Sequence, residues 1–192
     1  MRNVLTGVLV IVALGALAVE RGDREQGTGR SSDALATTNT CAPLPAPCPL
    51  IPVQGIKASQ LKSTFNEGRV GHLHHAIDIL APRGTPVLAA VDGIVRKLFV
   101  SRAGGITLYE FDRAAERSYY YAHLDGYASG IREGLEVHRG DVLGYVGTTG
   151  NAPANTPHLH FAIEILPPTK EWWKGEAIDP YPILTTPASA PR

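Results

Sequence analysis

From about Gln60 onward no amphipathic stretch lasts more than a few turns. The chain is written instead as short β-prone runs: "AIDIL", "TPVLAAV", "GIVRKLFV", "GITLYEF", "SYYYAHL", "DVLGYVG" and "HLHFAIEIL". Glycine, proline or a charge cluster closes each of them. β-Branched and aromatic side chains suit a pleated surface, and the punctuating residues supply the turns between strands. With 20 glycines and 15 prolines in the chain, a helix bundle is disfavoured. The pattern predicts one all-β domain of antiparallel strands over roughly residues 60–184, with a short helix at "DGYASGIREG". No internal repeat of solenoid type is present.

The first 18 residues read as an export signal. Arg2 gives a positive start, Val4 to Val19 is almost wholly apolar, and Ala16-Leu17-Ala18 fits a small-x-small cleavage site. A membrane-spanning helix needs about 20 apolar residues, so a cleaved signal is expected, with an uncleaved membrane anchor as the rival. Either places the rest of the chain in the periplasm or cell envelope. Residues 19–59 are Ser/Thr-rich and then Pro-rich and read as a flexible tether, and residues 185–192 as a disordered tail. Cys41 and Cys48 flank "APLPAP", and export favours a disulfide between them over a redox or metal pair. Lys and Arg total 18, as do Asp and Glu. Without a basic stripe, nucleic acid is excluded as a partner.

Seven histidines carry the chemical signal. In "GHLHHAIDIL", an extended backbone would set His72, His74, Ala76 and Asp78 on one face, and His75, Ile77 and Ile79 on the other. His74 and Asp78 can then converge across the small Ala76. In "TPHLHFAIEIL", His158 and His160 share a face that Ala162 and Glu164 continue. His123 ends the aromatic run "YYYAHL". A single His-x-His on a strand is usually just a pair of solvated or packed histidines. The combination of His-x-His, His-x-x-x-Asp and a further histidine in one exported β domain is stronger. Two imidazoles and a carboxylate are common zinc ligands, and three protein ligands with an open fourth position are the catalytic pattern. His72 is read as lining the cleft or simply solvated, and His138 as a turn position. Phe65, Tyr119 to Tyr121, Trp172 and Trp173 are read as packing, with the Trp pair as an alternative cleft rim.

These motifs, in this order, resemble the M23 (lysostaphin/LytM-type) zinc metallopeptidases. The matching segments are His74-His75-Ala76-Ile77-Asp78, "GTPVLAAVDGIV", "YAHL", "GLEVHRGDVLGYVGTTG", "HLHF" and the closing "AIDPYPIL", over about residues 61–184. Ala76 stands where the family has glycine. The resemblance implies a duplicated-hybrid-like β core and a Zn2+ ion held by His74, Asp78 and His160. It implies catalytic roles for His123 and His158, one as general base on water and the other stabilising the oxyanion or protonating the leaving amine. The implied substrate is a peptide of peptidoglycan, cut in cross-links or stem peptides.

Two other classes compete. A non-catalytic cell-wall-binding or regulatory domain that activates another hydrolase would share the fold, and the intact histidine set disfavours it. A lipoyl- or biotinyl-like carrier, suggested by "AAVDGIV" and "GLEVHRGDVLG", lacks a hairpin lysine.

Overall fold

The computed structural model describes residues 48–69 and 71–186. The signal segment, most of the tether, Cys41 and the final residues lie outside these. Cys48 is not a free thiol.

Among the described residues there are eleven strands: β1 (Gly68–Arg69), β2 (His72–Leu73), β3 (Ile77–Leu80), β4 (Pro86–Leu88), β5 (Gly93–Ser101), β6 (Gly105–Asp112), β7 (Arg117–Tyr127), β8 (Glu136–Val137), β9 (Val142–Val146), β10 (His158–Ile165) and β11 (Glu176–Ile178). A 3₁₀ turn (Ala58–Gln60) precedes them and one short helix, α1 (Pro180–Thr185), follows. Asp179 caps α1 by accepting from the Tyr181 N–H at 2.9 Å, with Pro180 at its first position. The expected helix at 125–134 does not form. β7 continues to Tyr127, and glycines at 126, 130 and 134 favour turns there.

Every pairing is antiparallel. The main sheet runs β11-β10-β7-β6-β5-β8, with β3 also on β10 and β9 bridging β7 to β4. β10 is the central strand. One edge pairs with β7 from residue 160 to 165, while the other is shared by β3 (158–161) and β11 (163–165). Leu159, Phe161 and Ile163 are fully buried on its core face. Each such side chain contributes about 1.5–3 kcal/mol on burial. They meet Tyr119, Tyr121, Leu108, Leu124, Leu143 and Val95 in one apolar core. With that face committed, alternation turns His158, His160, Ala162 and Glu164 to the opposite side.

The core also holds a carboxyl. Glu110 is fully buried on β6 and accepts from the Tyr121 hydroxyl and from the Ala90 N–H at 3.3 Å. Burial pushes it up to about 8, against the pull of these hydrogen bonds.

The ordered domain begins earlier than the sequence suggests. Val53 is 1% exposed and bridges to Val87. The Leu50 N–H donates to Ala90 O at 2.8 Å, Gln54 N–H to Pro86 O at 3.0 Å, and Leu88 N–H to Pro52 O at 3.0 Å. Residues 50–54, placed in the tether from their proline content, thus cover the edge of β4. Proline is tolerated at Pro52 because an edge position needs only its carbonyl.

Candidate metal centre

Three side chains converge on one point. His74 Nε2 lies 3.1 Å from Asp78 Oδ1 and 3.0 Å from His160 Nδ1, and His160 Nδ1 lies 3.2 Å from the same Asp78 oxygen. Three donors about 2.0–2.1 Å from a tetrahedral zinc stand roughly 3.3 Å apart, so this near-equilateral triangle has the right size. It is the one group of three or more metal-ligating side chains found among the described residues.

The route to this geometry differs from simple alternation. β2 ends at Leu73 and β3 starts at Ile77, so residues 74–76 are not a strand. His75 has φ of 55°, a left-handed value uncommon outside glycine. The backbone turns there, and His74 and Asp78 approach from two segments instead of along one face. Ala76 itself has no positive φ and is fully buried, which is why alanine fits. His75 points elsewhere: its N–H donates to Phe65 O at 2.9 Å and its ring lies 5.5 Å from the Phe65 ring. His72 is exposed, and His138 is exposed beside Asp92 at 3.8 Å.

β10 delivers His160. Its register partner in β3 is Asp78, directly opposite, so cross-strand pairing alone sets the two side chains side by side. Two positions earlier, His158 opens β10 with its Nε2 3.7 Å from Asp78 Oδ1. His123 comes from β7 at φ of 61°, where the strand bulges, and its ring centroid lies 4.9 Å from His158 and 5.6 Å from His160. Non-glycine residues held at positive φ cost about 1–3 kcal/mol and cluster at functional sites.

Backbone carbonyls fix the ring orientations. His74 Nδ1 is 3.1 Å from Thr64 O, His123 Nδ1 is 2.8 Å from Thr149 O, and His158 Nδ1 is 2.7 Å from Thr156 O. A carbonyl only accepts, so each Nδ1 must carry the proton and each Nε2 is left free. The Asp78 N–H donates to the Thr64 hydroxyl at 3.2 Å, and Arg69 donates to Asp78 Oδ2 at 3.0 Å. These supporting residues escaped sequence reasoning. Thr149 and Thr156 act through their carbonyls, which every residue type has, so no residue-type signal exists for them.

A close backbone approach holds Thr149 in place. Gly150 has φ of 74°, and a Cβ there would overlap the Ala103 carbonyl and the Gly105 nitrogen. The Thr149 hydroxyl meanwhile donates to Leu124 O at 2.7 Å.

The charge states suit a cation. Burial alone would raise Asp78, but the adjoining His160 and His74 side chains outweigh it and hold the carboxyl well below the usual range. Burial lowers His160, and lowers His123 to about 4. An anionic carboxylate and neutral imidazoles are the forms that bind metal.

The centre opens into a cleft of about 680 Å³ lined by Arg69, Tyr120, His123, Asn151 and His158 among others. Tyr119 and Tyr121 belong to the core as expected, whereas half-buried Tyr120 faces the cleft, its ring centroid 5.9 Å from His160. Trp172 packs on Phe99 and Tyr109, and Trp173 is exposed.

Residues 72–180 match the model of peptidase family M23. The L-Ala–D-Glu endopeptidase of Bacillus subtilis is 36% identical over 131 residues, 64% of this chain and 39% of the relative. The DD-carboxypeptidase/endopeptidase Mpg of Neisseria meningitidis is 37% identical over 117 residues, 60% of this chain and 24% of the relative. The chain thus spans about a quarter to two fifths of the length of these curated relatives. The catalytic domain of lysostaphin from Staphylococcus simulans superposes with a TM-score of 0.52 at 28% identity, covering 62% of this chain and 84% of that one.

Proposed function

Because the chain belongs to peptidase family M23, we propose that it is a zinc-dependent endopeptidase acting on peptidoglycan peptides outside the cytoplasm. The observation that carries this reading is the donor triangle of His74, Asp78 and His160 facing two further histidines whose Nε2 atoms are free. The similarity to a relative named peptidoglycan DD-endopeptidase ShyC, of Vibrio cholerae, supports the substrate class.

His74 through Nε2, Asp78 through Oδ1 and His160 through Nδ1 would hold the ion. When bound, zinc supplies Lewis acidity and lowers the pKa of water from about 15.7 to about 7. His158 and His123 flank that point. One would take the proton of the attacking water on its Nε2; the other, once protonated on its own Nε2, would donate to the oxyanion or the leaving amine. His123 is neutral at pH 7 because burial disfavours its charged form. The cleft walls position the peptide.

The test is digestion of purified cell-wall sacculi with mass spectrometry of the products, alongside elemental analysis. The expected result is about one zinc per chain and release of cut stem peptides. Zinc-loaded protein that binds sacculi but releases no peptide would support the wall-binding alternative instead.

A further inference from the structure

A second cavity of about 540 Å³ adjoins the metal centre and shares His74, Tyr120 and His160 with the main cleft. Its far end is formed by Glu164, four residues along β10 from His160. At strand rise that is about 13 Å, a span matched by two extended residues and a long side chain. Ala162 between them is small and leaves the floor open.

Glu164 is only partly exposed and has no hydrogen-bond or ion-pair partner among the described residues. Lys174, the nearest lysine in sequence to the wall residue Gly175, pairs with Glu171 at 3.0 Å instead. The cavity lining includes no lysine or arginine, but it does include Phe65, Tyr120 and a second carboxylate, Glu176. Burial raises the Glu164 carboxyl, a cost that an incoming cation would relieve. Aromatic faces beside a carboxylate are the surroundings that a desolvated ammonium prefers. The position is built closely: a Cβ on Gly175 would overlap the Glu164 side chain.

We propose that Glu164 is a specificity residue, forming a subsite for a primary ammonium group on the peptide substrate, such as the free side-chain amine of a diamino acid. This rests on the peptidase reading above for the identity of the substrate as a peptide.

The experiment measures binding and cleavage separately on the full zinc-loaded chain. The probes are the peptide alanyl-glutamyl-lysyl-alanyl-alanine and the same peptide acetylated on the lysine amine. Binding is followed calorimetrically and cleavage by mass spectrometry. The unsubstituted protein should bind the free amine at least about ten-fold more tightly, the worth of one charge-assisted hydrogen bond. Glu164→Gln should bind the two peptides within about two-fold of each other, with affinity for the acetylated peptide and zinc content unchanged. Equal binding of both peptides by the unsubstituted protein, or binding of neither, overturns the subsite whether or not Glu164→Gln folds. A ten-fold preference retained in folded Glu164→Gln also overturns it. A preference that disappears in Glu164→Gln, with neither peptide cut, upholds the subsite and instead counts against the peptidase reading.

Discussion

His74 and His75 are neighbours with opposite surroundings, and they give the sharpest test at the level of single residues. His74→Ala and His160→Ala each remove one corner of a three-donor triangle, so each should lose zinc and activity together. His75→Ala should keep its zinc, because its ring lies against Phe65 and outside the triangle. His123→Ala and His158→Ala should keep zinc by elemental analysis and lose about 10²–10⁴-fold in turnover. The convergence of His74, Asp78 and His160 was partly legible because His-x-His and His-x-x-x-Asp are residue-type signals. Alternation along one strand does not bring His74 to Asp78. Alternation assumed an unbroken strand, and the left-handed turn at His75 has no marker in a sequence that offers no glycine there. The same is true of His123, whose φ of 61° is imposed by the bulge against β6.

Among the elements, β6 and β7 share the buried Glu110–Tyr121 contact. Glu110 is raised in the folded state to about 8 from 4.5. The native state therefore holds this proton more tightly than the unfolded chain. Its contribution is fully present below about pH 4.5 and is lost as pH rises toward 8, at up to about 1.4 kcal/mol per unit. Thermal melts should show Tm falling between pH 5 and pH 8, and Glu110→Gln should flatten that slope. A slope unchanged in Glu110→Gln would assign the pH dependence to other groups. A second element-level prediction concerns the loop after β9. Gly150→Ala would push the chain off Ala103 and Gly105 and displace the Thr149 carbonyl from His123. It should lower turnover at least ten-fold while zinc content stays near one per chain, as judged on the same preparation.

For the whole molecule, the all-β antiparallel architecture was readable from run length and turn residues alone, because a period-2 pattern closed by glycine and proline admits few other folds. The beginning of the domain was not. Proline-rich composition suggested a tether through residue 59, yet Leu50, Pro52 and Gln54 hydrogen-bond to the β4 region and Val53 fills the core. Packing of a single valine carries no periodic signal. A chain starting at Lys57 should thus be destabilised by about 2–4 kcal/mol relative to one starting at Cys48, since it uncovers Val87 and strips three backbone hydrogen bonds. Denaturant melts of the two would measure the difference. The carbonyl anchors at Thr64, Thr149 and Thr156 bear on how such a protein can change over time. Because His158 is oriented by main chain, replacing Thr156 with almost any residue leaves the same oxygen in the same place. The orientation of these rings is shielded from drift in the surrounding loops, whose side chains are then free to diversify without turning the imidazoles.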